Sequence, residues 1–372
     1  MSSKKRLLWV EAIRIVSMLM ILMLHILKHG GILDSLTVGT ASYYSAWLIE
    51  SVCYCAVNCY ALITGYVMYD ASKSNFRYSG IITLWFQVFY YSAAITLLFA
   101  VFAPEKISYV EIIKSFTPII SSQYWYFTAY FGMFFFIPFF NMLIDRLDKN
   151  QFITLVSSMF VIFSFLPFTF SSGSDLFNVN SGYSTLWLTV MYFAGAFIKR
   201  FGSSFKIKRR TWALSFIFFS MLPCINPYVA SIINNPDIIS GLSQNIYMYN
   251  YISPFTVISA ISLFMFFKDI DIKSRILSCI IKLLSPASFG IYLIHVHPLV
   301  FEHIVKDRLI FLTEQSCFLM VTGIMTIAAA AYIILAAVEY LRIMLFKTIK
   351  VREKSETLLS DIIFKIKNMK LK

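Results

Sequence analysis

The sequence predicts an all-α polytopic membrane protein, a bundle of about ten transmembrane helices whose two termini lie in the cytoplasm. Three observations predict this fold: the composition, the spacing of the apolar segments and the distribution of the basic residues. Of the 372 residues, 59% are hydrophobic and 14% are charged, whereas about 25% of the residues in a soluble domain are charged. A soluble chain of this length cannot bury that much apolar surface, which excludes an ordinary soluble enzyme. The 37 Phe and 22 Tyr residues suit a chain surrounded by lipid, with aromatic side chains at its interfaces.

Ten apolar segments are candidates for crossing the bilayer, because a helix needs about 20 residues to span the hydrocarbon core. The sixth segment is short, and the seventh contains Pro223 and Pro227. In chain order, the predicted spans are residues 7–27, 43–68, 80–103, 124–144, 152–170, 184–199, 211–231, 250–267, 284–303 and 317–346.

The basic residues support ten spans with both termini inside. With this topology, 26 of the 32 Lys and Arg residues fall on the cytoplasmic side, five fall outside, and Arg14 lies within the first span. Cytoplasmic loops of membrane proteins carry such an excess of Lys and Arg. The formal charge of +13 is therefore explained by membrane topology, and no nucleic-acid partner is expected. The six cysteines form no C-x-x-C pair and are interpreted as packing residues.

The chain divides into a transmembrane domain, residues 1–346, and a basic tail, residues 347–372. Leu358, Ile362 and Ile366 recur at helical spacing in the tail, with several lysines nearby. This pattern predicts an amphipathic helix on the anionic inner leaflet of the bilayer. The alternative is a solvated tail without fixed structure.

The first span carries ionisable residues, which are costly inside a membrane and therefore point to function. Arg14 and His25 are eleven residues apart, close to three helical turns, so they are expected to share one face about 16 Å apart. His29 lies one turn further along that face. An Arg binds phosphate or an oxyanion, and a His accepts a proton from a hydroxyl. The pair therefore suits acyl transfer to an alcohol, but it equally suits a proton relay in a transporter.

Several motifs in the chain resemble those of the acyltransferase-3 family, membrane-bound bacterial O-acyltransferases that modify surface glycans. Arg14 and His25 form its R-x10-H pattern, and four later segments match in the family's order. These segments are Ala56–Tyr66, ending Thr64-Gly65-Tyr66; Arg77 in the first cytoplasmic loop; the aromatic Tyr124–Phe127; and Ser288–His295. The sequence departs from the family pattern at Thr64, where Ser is usual, and at Phe289-Gly290, where Tyr-Ser is frequent.

The resemblance implies an enzyme of the bacterial inner membrane that moves an acyl group, most often acetyl, from acyl-CoA to a sugar hydroxyl. The acceptor would be a surface polysaccharide or its lipid-linked precursor. By resemblance, His25 is the catalytic histidine, as general base or transient acyl carrier, and Arg14 is its partner. Arg77 and Arg14 would bind the acetyl-CoA donor. The alternatives from other classes are a glycan flippase or proton-coupled exporter, and a glycan polymerase.

Four further residues are weaker candidates for substrate binding. Asn58 is a possible oxyanion donor, and Trp125 can stack on a sugar or on adenine. His295 can line the acceptor cavity, and Glu50 can orient His25. A structural interpretation also exists for three of them: Trp125 as an interfacial residue, His295 as a helix-packing residue and Glu50 as a snorkelling residue. The sequence contains no metal-ligand spacing, so no metal is expected.

Overall fold

A computed structural model describes residues 7–69, 78–170, 176–233 and 248–369, and the regular elements within these ranges are helices. The predicted fold class, an all-α polytopic membrane protein, is confirmed. The longer helices are α1 (Leu8–Lys28), α2 (Ala41–Cys53), α3 (Ala56–Met68), α4 (Ser79–Phe102), α5 (Tyr109–Phe116), α6 (Trp125–Phe134), α7 (Ile137–Arg146), α8 (Lys149–Phe160), α9 (Thr185–Phe201), α10 (Arg209–Met221), α11 (Ile225–Ile233), α12 (Pro254–Phe267), α13 (Arg275–Leu284), α14 (Ser288–His295), α15 (Cys317–Thr348) and α16 (Val351–Met369).

Seven helical segments in the described part of the chain are long and apolar enough to span a membrane. An eighth is obtained if α6 and α7, which meet at an angle of 56°, form one broken span. The predicted spans 184–199 and 250–267 correspond to α9 and α12, which have 17 and 14 residues. Both are shorter than the roughly 20 residues that cross the hydrocarbon core. The number of ten spans and the cytoplasmic termini therefore stay predictions.

The ninth predicted span, residues 284–303, differs from the observed helices. The apolar segment begins earlier, at Arg275, and ends at His295. Pro286 lies in a 3₁₀ turn between α13 and α14, and Pro298 begins a new short helix after His297. Since Pro cannot donate a backbone hydrogen bond, it favours such breaks. His295, a candidate for substrate binding, therefore lies at a helix end rather than in mid-span.

The first helix, α1, lies at the centre of the bundle and contacts α2, α3, α12, α13, α14 and α15. Its position explains why Ile13 and Leu27 are completely buried. Beside it, α3 and α9 approach until their backbones touch. A Cβ atom at Gly65 would lie 2.0 Å from the carbonyl oxygen of Tyr192, and one at Gly195 would lie 2.2 Å from that of Leu62. The glycine of the Thr64-Gly65-Tyr66 motif thus permits close helix packing.

A buried ion pair within α15 is hydrogen-bonded to α4. Glu339 is completely buried and pairs with Arg342. Its carboxylate also accepts hydrogen bonds from Gln87 at 3.0 Å and from Tyr91 at 2.6 Å. Arg342 is one of the 26 basic residues that the predicted topology assigns to the cytoplasmic side, but it is buried in the bundle, where its charge is compensated by Glu339. Helix α16 follows α15 and packs on α4, while its predicted place on the membrane surface stays a prediction.

Gly290 lets α14 approach this ion pair, because a Cβ atom there would lie 2.1 Å from Glu339 Oε2. We expect Gly290→Ala to destabilise the protein by about 1–3 kcal/mol, the usual cost of overpacking. Thermal unfolding in detergent measures this change. Gly80→Ala in α4 is the matched control, since no atom lies within 4 Å of its Cβ position. Equal unfolding temperatures for the two variants would contradict the expectation.

Candidate active site

A cavity of about 660 Å³ opens beside the last turns of α1, and its size is typical of small-molecule sites. Its wall combines aromatic side chains with a few polar groups. Four of the lining residues, His29, Glu111, Gln123 and Tyr183, belong to segments that the charge distribution predicts to lie outside the cell. The lining residues are Met18, Ile21, Leu24, His25, His29, Val57, Tyr60, Glu111, Gln123, Trp125, Tyr126, Tyr183, Tyr251, Phe289, Tyr292, Val296, Pro298, Phe301 and Glu302.

His25 lies in this wall, hydrogen-bonded to a second histidine. Its Nδ1 atom is 2.9 Å from Nε2 of His295, which comes from the end of α14. The Nδ1 atom of His295 is in turn 2.6 Å from the carbonyl oxygen of Ile291. His295 itself is 6% exposed and is absent from the cavity lining. The structure thus places His295 behind His25, and its predicted contact with substrate stays a prediction.

The carbonyl of Ile291 determines the protonation pattern of the pair. A carbonyl oxygen only accepts hydrogen bonds, so Nδ1 of His295 carries a proton. With both rings neutral, Nε2 of His295 is then an acceptor, and Nδ1 of His25 donates to it. This tautomer leaves the lone pair of His25 on Nε2, which has no partner among the described residues. His25 therefore presents a basic nitrogen on a partly accessible ring in the cavity wall.

Aromatic contacts hold the His25 ring on its other sides. The ring centroid of Phe301 lies 5.6 Å from that of His25, in an edge-to-face arrangement. Phe301 also contacts His29, with centroids 4.0 Å apart. His29 lies one helical turn beyond His25, as predicted from the sequence, and lines the same cavity.

Arg14 lies on the same face of α1 but outside the cavity lining. Its Nη1 donates to both carboxylate oxygens of Glu11, at 3.1 and 3.2 Å. The hydroxyl of Ser285 donates to the same carboxylate. The carbonyl oxygen of Arg14 accepts a hydrogen bond of 2.7 Å from Tyr60, which does line the cavity. Arg14 is therefore connected to the cavity through Tyr60, while its charge is paired with Glu11.

Asn58 is completely buried and holds two other segments together. Its Nδ2 donates to the carbonyl of Tyr251 at 2.8 Å, and its Oδ1 accepts from Nε1 of Trp187 at 2.9 Å. Asn58 is not among the lining side chains. Its visible effect is to fix Tyr251, which is part of the wall. The predicted role of Asn58 as an oxyanion donor stays a prediction.

Trp125 lies in the cavity wall, within a cluster of three aromatic rings. Its centroid is 4.5 Å from that of Tyr183 and 5.9 Å from that of Tyr251, and Tyr183 and Tyr251 are 4.9 Å apart. The three residues lie at or just before the first residues of α6, α9 and α12. They meet because these three helices begin at the same end of the bundle.

Glu50 is 5% exposed, and its Oε2 has no partner among the described residues. It lies outside the cavity lining, and His295 rather than Glu50 holds the His25 ring. Arg77, the other predicted CoA contact, lies outside the described residues. No group of three or more His, Cys, Asp or Glu side chains suited to a metal ion occurs in the ranges that the structure describes.

Sequence reasoning missed several residues of the wall. Tyr60 lies inside the Ala56–Tyr66 motif but is not among the candidate site residues of the sequence analysis, and neither is Tyr251. Glu111 and Glu302 received no role at all. A signal was available for Glu302, which lies inside the predicted span 284–303, where an ionisable residue points to function.

The profile of the acyltransferase-3 family, described as an acyltransferase domain, matches residues 7–338. The chain belongs to the acyltransferase-3 family. The matched residues include every side chain of the cavity wall, so this acyltransferase-3 protein carries the cavity within its family domain. Comparison with curated proteins gave no match, nor did comparison with solved structures. Membership shows a multi-pass membrane acyltransferase and does not favour the exporter alternative.

Proposed function

We propose that this protein transfers an acyl group, acetyl in the simplest case, from acyl-CoA to a hydroxyl of a surface polysaccharide or its lipid-linked precursor. The observation that carries the proposal is the His25 imidazole, whose bare Nε2 lies in the cavity wall while Nδ1 is bonded to His295. A positioned base of this kind accelerates attack by an alcohol. The family supports the acyl-transfer chemistry, and the aromatic wall suits a sugar acceptor.

The transfer step needs one base and no external oxidant or reductant. The acceptor oxygen attacks the carbonyl carbon of the thioester, and its proton moves to Nε2 of His25. His25 becomes an imidazolium, whose Nδ1–H donates to His295. The C–S bond then breaks, and the CoA sulfur takes the proton from Nε2. Transient acylation of Nε2 by the donor is the second route, and it uses the same nitrogen.

The most direct test is mass spectrometry of the surface glycan from cells with and without this protein. We expect loss of one acyl increment per modified sugar when the protein is absent, and its mass identifies the acyl group. A complementary test is thermal stabilisation of the purified protein by CoA. Transport of unmodified glycan without dependence on CoA would contradict the proposal and favour an exporter.

Arg14 offers a test that separates stability from donor binding. Arg14→Gln removes the partner of Glu11, whose side chain is 11% exposed, so we expect a lower unfolding temperature. The double variant Glu11→Gln/Arg14→Gln removes both charges and is expected to recover most of that loss. If Arg14 binds the donor, the KM for acetyl-CoA stays raised in the double variant. A KM that recovers together with stability would limit Arg14 to a structural role.

A further inference from the structure

The charges of the cavity wall are all of one sign. Besides the imidazoles of His25 and His29, the charged residues in the described part of the wall are Glu111 and Glu302, with no Lys or Arg. In a chain with a formal charge of +13, an acidic wall without a cation is a local exception. The acidic wall lies near the C-terminal end of α1, whereas Arg14 lies in the N-terminal half of this helix.

Glu111 is fixed by its own helix. One carboxylate oxygen, Oε2, accepts a hydrogen bond of 2.7 Å from the backbone N–H of Ser108, as part of the capping box of α5. The other oxygen, Oε1, has no partner among the described residues. A capping box holds the side chain in place without neutralising its charge. Glu111 thus presents a fixed, charged acceptor to the cavity.

Glu302 is half-exposed and pairs with Lys306 one helical turn later. Both side chains are more than half accessible, at 56% for Glu302 and 52% for Lys306. Exposed ion pairs of this type contribute little and are easily exchanged. The carboxylate of Glu302 is therefore available to a ligand in the cavity.

The aromatic cluster and a buried phenol complete this part of the wall. Trp125, Tyr183 and Tyr251 offer ring faces, which pack on the apolar faces of sugar rings. Tyr292 is 8% exposed and lies in the same wall. We call Glu111, Glu302, Trp125, Tyr183 and Tyr251 the acidic mouth.

We propose that the acidic mouth is the acceptor subsite and that it selects neutral or amino-bearing sugars while rejecting uronic acids and phosphate-bearing sugars. This inference rests on the proposed function and names its substrate class. Two carboxylates accept hydrogen bonds from sugar hydroxyls or an ammonium group, but they repel a second anion. The same repulsion keeps the CoA phosphates out of the mouth, so the donor nucleotide approaches from elsewhere.

Binding of three trisaccharides to the purified full-length protein in nanodiscs tests the inference. The probes are maltotriose, the glucosamine trisaccharide and trigalacturonate, compared at low ionic strength by quenching of tryptophan fluorescence, with Trp125→Phe to assign the signal. We expect trigalacturonate to bind at least about tenfold more weakly than the other two, because its carboxylates would lie within several ångströms of those of Glu111 and Glu302 and repel them. Added salt should reduce the difference.

Two matched double variants test whether the charges of Glu111 and Glu302 cause the weaker binding of trigalacturonate. Glu111→Gln/Glu302→Gln keeps the shape of the wall and removes both of its carboxylates, which also frees Lys306. The affinities for maltotriose and for trigalacturonate should therefore become nearly equal. Glu105→Gln/Glu314→Gln removes the same charge from exposed positions outside the cavity wall and should leave the preference unchanged. Equal binding of all three sugars, no binding by any of them, or a preference that survives in the cavity double variant would each overturn the inference. If the expected order of binding is observed but no acyl group is transferred from acetyl-CoA, the subsite stands and the proposed transferase activity fails.

Discussion

Replacing His25 with Ala is expected to lower the rate of acyl transfer by about 10²–10⁴-fold, the contribution of a positioned general base. The reason is the hydrogen-bond chain from Ile291 through His295, which leaves Nε2 of His25 bare in the cavity wall. The measurement is the initial rate of CoA release from acetyl-CoA by purified protein with a sugar acceptor. Acylation of the cell-surface glycan, measured by mass spectrometry, should fall in parallel.

His303→Gln is the control for this variant. His303 also follows α14, but its ring contacts Phe99 and it is absent from the cavity wall. It should retain wild-type activity. Acyl transfer that persists in His25→Ala, at normal protein abundance, would contradict the assignment of His25 as the catalytic residue.

Replacing His295 is expected to give the second largest effect, through the orientation of His25. His295→Leu removes the acceptor of the His25 Nδ1–H, so the ring loses its fixed tautomer and direction. Misplacement of a catalytic group by about 1 Å costs on the order of 10²-fold. We therefore expect kcat to fall by about this factor, while the KM for either substrate changes little, because His295 does not line the cavity.

His295→Gln distinguishes positioning from simple packing. The side-chain carbonyl of Gln can accept the proton of His25 Nδ1, whereas Leu of similar size cannot. We expect Gln to restore a substantial part of kcat relative to Leu, with both variants similar in thermal stability. Equal activities for the two variants would show that His295 acts only as a packing residue. A large rise in KM would instead place His295 in contact with substrate.

The candidate site was partly predictable from local patterns. The R-x10-H spacing is a property of one helix, so three turns suffice to place Arg14 and His25 on one face. Intramembrane charge marked both residues as unusual. The partner of Arg14 is equally local, since Glu11 lies at i−3 and such pairs meet on a helix. The sequence analysis predicted the position of Arg14 but not its ion pair with Glu11.

The other contacts join residues that are far apart in the chain. His25 meets His295 across 270 positions, and Asn58 meets Trp187 across 129. No periodicity encodes such pairs, because they depend on how α1 packs near α14 and how α3 packs on α9. Local patterns predict Asn58, Trp125 and His295 together as substrate contacts, and the structure separates them. Trp125 lines the wall, His295 supports His25, and Asn58 fixes Tyr251.

The amino-acid sequence by itself determined the membrane fold class, the family motifs and the polar face of α1, because hydropathy, composition and helical spacing are local quantities. The packing of the helices decided which polar groups meet. It placed His295 on Nδ1 of His25 and brought two glutamates and three aromatic rings to one opening. Hydrogen bonds and charges act over a few ångströms, so only the folded arrangement determines the chemistry of the site.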